Sequence, residues 1–281
     1  MKPKILIATS SFAELEPSLI QNLNKEFECV FNTTGRKLKT QELMSLLTDV
    51  SGVIAGTEIY SSQVLESAKN LKVISRVGVG VDNVDLDFCS KHDVEVIATK
   101  TDLSFSVAEL VISLSLSFLR NIPHHFRDMQ NQNWERIMGE TINGKTIGVV
   151  GLGKIGKRLV ELASGFNLTV LAYDPYQDEE FAKKYSVKYC AMEELLKYSD
   201  IISIHASSGA MNHPLISEDE LKLMKSTALL INTSRGANVD ENALLCALQK
   251  KTIGGACLDV FNQEPYQGNF ANLDNVILTP H

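Results

Sequence analysis

TIGVVGLGKIGKRLVELA, residues 146–163, carries the clearest structural signal in the chain. Thr146 to Val150 is a short run of β-branched and apolar residues, the pattern of a strand buried on both faces. It runs into Gly151, Leu152, Gly153, Lys154, Ile155 and Gly156, and then into a helical stretch from Lys157 to Ala163. Strand, G-x-G-x-x-G and helix in that order make a phosphate-holding turn. Gly151 permits the tight bend, Gly153 lets backbone approach a pyrophosphate, and Gly156 lets the helix sit against the strand. The helix start at Lys154 and Ile155 turns its N–H groups toward the anion.

Outward from this turn, the next apolar run, Leu168 to Tyr173, ends at Asp174, 18 residues after Gly156. That is close to the roughly 20 expected for an acid that holds the ribose hydroxyls of a dinucleotide. A carboxylate there repels a 2′-phosphate, and no Lys or Arg follows in Pro175, Tyr176 and Gln177, so the expected cofactor is NAD rather than NADP. Further strand-like runs at Ile201 to His205, Leu229 to Asn232, Ala256 to Val260 and Val276 to Leu278 complete the count for a dinucleotide fold. A second series precedes it: Lys4 to Ala8, Phe27 to Phe31, Gly52 to Ala55, Val73 to Arg76 and Val94 to Ala98. Helical segments alternate with these runs throughout. The expected fold class is therefore α/β, with two doubly wound parallel-sheet domains, the second a Rossmann dinucleotide-binding domain.

The expected division is residues 1–99 as a substrate-binding, flavodoxin-like domain and 100–281 as the NAD-binding domain, with a cleft between them. Ser106 and Glu109 have capping-box spacing at the head of a long helix just after the break. A length of 281 residues suits two domains, each with its own core. With 27 Lys and Arg against 34 Asp and Glu, the net charge of −7 argues against nucleic acid as a partner. Val107 to Leu119 is too short to cross a bilayer, and Met1 to Ala8 has no leader pattern, so no membrane partner is expected. The five cysteines form no C-x-x-C pair, as in a reduced cytoplasmic protein, and no metal site is expected.

A dinucleotide fold does not define a reaction, which must be read from polar residues at the ends of later strands. Three stand out: Arg235 after Asn232, Thr233 and Ser234; Glu264 just beyond Asp259, Val260 and Phe261; and His281 after Thr279 and Pro280. Each alone has an ordinary explanation, as an ion-paired arginine, a solvated loop acid or a terminal residue. Together they supply a cation for a carboxylate and carbonyl, a proton donor, and an acid that raises the imidazole pKa. Upstream, the amides of Val77, Gly78 and Val79 follow the strand ending at Arg76, and either form an anion nest or a plain tight turn.

Several ordered blocks now resemble the D-isomer-specific 2-hydroxyacid dehydrogenase family, most closely its D-3-phosphoglycerate dehydrogenase branch. They are RVGVGVDNVD (76–85), SVAE (106–109), GKTIGVVGLGKIG (144–156), NTSRG (232–236), GACLDV (255–260) and LTPH (278–281). The resemblance implies an NAD-dependent oxidoreductase that moves hydride between nicotinamide and C2 of a small D-2-hydroxy or 2-keto acid. It further implies that Arg235 orients the substrate, that Glu264 pairs with His281, and that His281 passes the proton. Asp259 would bind the nicotinamide carboxamide, Thr233 and Ser234 would line the nicotinamide, Ala206 and Val79 would touch the cofactor, and the loop from Arg76 through Val77 and Gly78 would hold the substrate carboxylate.

The chain departs from the pattern in places. Ala98 and Lys100 stand where Asn and Pro are usual, His205, Ala206, Ser207 and Ser208 stand where a His-Thr-Pro loop is frequent, and Gly56 stands where the phosphoglycerate branch places an arginine. The last weakens the reading of a phosphorylated substrate, unless Lys100 supplies the charge. The family continues past the histidine with a helix, so on this pattern the first domain lacks its usual C-terminal helix. A homodimer is expected, joined through the second domain by the Arg120 to Trp134 segment. The competing reading is an NAD(H)-sensing regulatory protein on the same fold with little activity.

Overall fold

The computed structural model describes residues 2–206 and 213–281. The chain divides into two compact units, Met1–Asp102 and Leu103–His281.

The first unit holds five parallel strands, β1 (Lys4–Ile7), β2 (Glu28–Phe31), β3 (Gly52–Ala55), β4 (Val73–Arg76) and β5 (Glu95–Ala98), in the order β2-β1-β3-β4-β5. This is the flavodoxin-like order, whose switch point lies between β1 and β3. Leu6, Val53 and Ile74 bury one sheet face against Leu43, Leu47 and Val64 of the flanking helices. Continuous apolar runs such as Lys4–Ile7 form strands because both sheet faces are covered and parallel strands need crossover connections.

The second unit contains β6 (Thr146–Val150), β7 (Thr169–Tyr173), β8 (Val187–Tyr189), β9 (Ile201–Ile204), β10 (Leu229–Asn232), β11 (Gly255–Leu258) and β12 (Val276–Leu278). They pair, all parallel, in the order β12-β11-β10-β9-β6-β7-β8. The order reverses between β6 and β9, and the carboxyl ends of these strands flank the crevice where such sheets take ligands. The period of two is visible in the packing. Ile147, Val149, Ile201 and Ile231 face one apolar cluster, whereas Val150, Ile202, Ile204 and Leu230 face the other.

Two local readings are corrected. The long helix spans Ser104–Leu119 and starts two residues before Ser106; Leu103 stands at its N-cap without a side-chain bond, so Ser106 and Glu109 do not form a capping box there. The edge strand β8 was absent from the sequence reading, because a three-residue segment containing Lys188 shows no periodicity. Among the described residues no single helix is long and apolar enough to cross a membrane.

Candidate active site and its cofactor cavity

At the carboxyl ends of β6, β7, β9 and β10 the second unit encloses a cavity of about 920 Å³, lined by Gly151, Gly153, Asp174, His205, Ala206 and Asn238 among others. Gly151 has φ +94°, in the region that side chains rarely occupy, and a side chain there would also press on the His205–Ala206 backbone. A β-carbon on Gly156 would overlap the carbonyl of Gly151, which is the close helix-to-strand approach that the third glycine allows. The space over Gly153 is open, and the helix Lys154–Ala163 begins directly after it. Its first-turn amides, including those of Lys154 and Ile155, lack intrahelical partners and face an anion position.

Asp174 stands at the end of β7. Its carboxylate accepts from the Leu152 amide (2.7 Å) and from the Tyr176 amide (2.8 Å). The same acid that meets the ribose in the sequence reading therefore also clamps the Gly-rich turn. The size, the glycine cradle and the acid fit a dinucleotide without a 2′-phosphate. His205, at the end of β9, bonds Ser203 Oγ through Nε2 (2.9 Å), and burial pushes its pKa down to about 4, so it adds no positive charge to the cavity. Ser207 and Ser208 lie outside the described residues.

Glu264 and His281 come together from segments 17 residues apart. His281 Nδ1 lies 3.0 and 2.9 Å from the two Glu264 oxygens. The Phe261 amide donates to Glu264 Oε1 (3.1 Å), and the Asn262 amide donates to Glu241 Oε1 (2.7 Å), so backbone bonds hold the loop that aims the carboxylate. The bond to Glu264 raises the His281 pKa. Partial burial opposes it, the charges of Glu264 and Asp259 add to it, and the Arg235 guanidinium works against it. Asp259, beyond β11, accepts from Thr279 Oγ1 (2.6 Å), tying the loop after β11 to the segment after β12. Arg235, Asp259, Glu264 and His281 thus share one electrostatic neighbourhood.

Arg235 follows β10. Its Nη1 donates to Ser234 O (2.7 Å), and Asn232 Nδ2 donates to Arg235 O (2.8 Å). A side chain on the next residue, Gly236, would overlap the Phe261 and Asn262 backbone, so the arginine loop packs directly on the glutamate loop. Thr233 is nearly buried and its hydroxyl has no hydrogen-bond partner among the described residues. The sequence reading missed Asn238, Glu241 and Thr279, whose side-chain bonds reach residues distant in the chain, and Asn232, whose side chain bonds Ser234 and Arg235 within its own turn. Only the position of Asn232 at the strand end hinted at a role.

Arg76, Val77, Gly78 and Val79 lie in the first unit, in the loop after β4. At the turn where the sequence leaves an anion nest and a plain tight turn both open, the Val77 amide donates to Ala55 O (2.9 Å) and the Gly78 amide to Thr99 Oγ1 (3.0 Å). Backbone donors near a core are paired within the protein, so a carboxylate at this loop would have to share or displace those bonds. Arg76 folds back on the same loop, donating to Val77 O and, through Nε, to Asn83 Oδ1 (3.3 Å). Val79 is 54% exposed, and Lys100 is exposed. Among the described residues no group of His, Cys, Asp and Glu is arranged to hold a metal ion.

Comparison with known proteins agrees with this architecture. The sequence model of the family described as D-isomer specific 2-hydroxyacid dehydrogenase, NAD binding domain, matches residues 112–281. A glyoxylate reductase of Pyrococcus horikoshii is 34% identical over the whole chain and 86% of its own length. A D-3-phosphoglycerate dehydrogenase of Methanocaldococcus jannaschii is 38% identical over 87% of the chain, which spans 48% of that relative. The structure of a D-lactate dehydrogenase from Aquifex aeolicus, solved with NAD and lactic acid, superposes with a TM-score of 0.83 at 28% identity, covering 99% of the chain and 88% of its own. A switch-point cavity built for a dinucleotide and a match across more than half of the sequence lead to one conclusion: the chain belongs to the D-isomer specific 2-hydroxyacid dehydrogenase family, its second unit forms the NAD-binding domain, and its cofactor is NAD.

Proposed function

We propose that the protein interconverts a small D-2-hydroxy acid and its 2-keto acid, with Arg235, Glu264 and His281 as the working side chains. The observation that carries this reading is the Glu264–His281 pair, an imidazole held through Nδ1 by a carboxylate and so kept protonated to higher pH. Bound NAD(H) supplies or accepts the hydride at C2. The Arg235 guanidinium binds the substrate and polarises its carbonyl. His281, anchored at Nδ1, holds a proton on Nε2 for the carbonyl oxygen in reduction and takes it back in oxidation. Asp259, fixed by Thr279, contacts the nicotinamide carboxamide; Thr233, Ser234 and Ala206 line the cofactor. An NAD(H) sensor needs no carboxylate-supported histidine beside an arginine, so the pair favours catalysis.

The substrate assignment stops at a small 2-keto acid. Relatives named for glyoxylate and for 3-phosphoglycerate are of similar identity, and Gly56 offers no cation for a phosphate. The test is NADH consumption with glyoxylate, hydroxypyruvate, pyruvate, 3-phosphohydroxypyruvate and a branched 2-keto acid. Turnover of at least one supports the reading, and NADH binding without turnover of any 2-keto acid sinks it.

A homodimer fits the same unit. On the helix Ile122–Gln130, Ile122, Phe126 and Met129 recur at helical spacing on one face and are 53%, 61% and 55% exposed, with Trp134 and Met138 exposed just beyond. A second copy of this chain is the occupant proposed for this apolar arm.

A further inference from the structure

We infer that Asn238 is a positioning residue of this site, whose amide joins the Ala206 wall of the cofactor cavity to the backbone of Arg235 by way of Ser234 and Asn232. The inference rests on the role of Arg235 proposed above.

Asn238 closes the short turn Gly236–Asn238 and is 3% exposed, yet it borders the cavity. Its Nδ2 donates to Ala206 O (2.9 Å) and to Ser234 Oγ (2.9 Å). The Ser234 hydroxyl donates onward to Asn232 Oδ1 (2.7 Å), and Asn232 Nδ2 donates to Arg235 O (2.8 Å). Asn232 is 1% exposed. Each link has one chemically permitted direction. The Ala206 carbonyl can only accept, so the Asn238 NH2 must face it. Both hydrogens of that NH2 are then in use, and the serine is left to donate to Asn232. The result is an ordered chain of part-buried hydrogen bonds, hinged on the buried Asn232 and Asn238, from the end of β9 to the peptide of Arg235.

Packing alone does not call for an amide at position 238, because an apolar side chain fills a buried turn without desolvating two donors. An amide is matched to two acceptors set about one hydrogen-bond length away on either side. In a buried setting such a chain is stiff, and losing one link leaves acceptors without partners. Movement of the Ala206 wall is therefore carried to the loop that bears the guanidinium. Cofactor affinity and keto-acid affinity should depend on Asn238 together.

The test uses the full chain with Asn238→Asp, Asn238→Leu, Ser234→Ala and the Ser234→Ala/Asn238→Leu double variant. Asp keeps the shape of Asn but, ionised, has no hydrogen to donate. Leu fills the volume and carries no polar group. NADH affinity is measured by fluorescence titration, KM and kcat with the best keto acid, and thermal unfolding without NADH. Both Asn238 variants and Ser234→Ala should weaken NADH binding about tenfold and raise the keto-acid KM about tenfold, the scale of one net hydrogen bond. The kcat should fall less than the KM rises. The double variant should be no worse than its poorer single parent, since both break one chain.

An Asn238→Asp protein that binds NADH like the wild type overturns the inference, because shape alone then suffices. Multiplying single effects in the double variant overturn it as well. If the Asn238 variants do not fold, unchanged NADH binding in Ser234→Ala overturns it and tenfold weaker binding sustains it. Should the wild type bind NADH but reduce no keto acid, the proposed reaction fails, while the NADH titrations still judge the role of Asn238.

Discussion

Replacing Glu264 with Gln removes the charge that holds His281 and keeps the shape of the side chain. The two carboxylate oxygens lie 2.9 and 3.0 Å from Nδ1, and the histidine side chain is 39% exposed. At that separation opposite charges attract by about 1.4 kcal/mol with the dielectric of water, and this low figure is the appropriate one for a pair this exposed. Because the folded His281 pKa is raised, the charged pair is fully formed below the ordinary value of 6.5 and is lost as pH rises through the raised value. In the proposed reaction reduction needs the protonated ring, so kcat/KM for the keto acid should fall on the alkaline side in the wild type, and Glu264→Gln should move that fall toward acid. Above the shifted pKa the variant should be about tenfold slower. The assay is initial NADH oxidation from about pH 5 to pH 9, the range that brackets histidine titration. An alkaline limb that does not move would refute the claim that Glu264 sets the proton affinity of His281.

Arg235→Lys keeps the charge but loses the planar fork. It should lower kcat/KM by about a hundredfold, the scale of one misplaced charge-assisted donor, with NADH affinity within a few fold of wild type. Asp174→Ala removes an acceptor from both the Leu152 and Tyr176 amides, and should weaken NADH binding at least tenfold while narrowing the preference for NADH over NADPH; titration with both cofactors decides it. Phe126→Asp places a charge in the apolar arm and should turn a dimer into a monomer by sedimentation; a wild type that is already monomeric at micromolar concentration contradicts the proposed interface.

Much of this was legible in the linear chain because the physics is local. The turn from Gly151 to Gly156 announces itself through a strand before it and a helix after it, and Asp174 through its spacing. Apolar runs such as Ile201 to Ile204 mark parallel strands buried on both faces. What escaped depends on partners far along the chain. Asn238 is an unremarkable polar residue until Ala206, 32 positions earlier, is brought beside it, and Thr279 gains meaning only against Asp259. The Val77 to Val79 turn admits two readings in the linear chain for a related reason. Glycines show that backbone is exposed to an approach, but not that Thr99 and Ala55 already accept its protons.

In the proposed reaction His281 and Arg235 act on the carbonyl of a 2-keto acid while its C2 receives hydride from NADH. The most direct measurement supplies NADH deuterated at nicotinamide C4 on each face in turn, together with the keto acid that turns over best, and follows the label by NMR. Deuterium should appear at C2 of a D-configured 2-hydroxy acid from one face only, with transfer abolished in His281→Ala. Label that never reaches C2, or that arrives undiminished without His281, would contradict it.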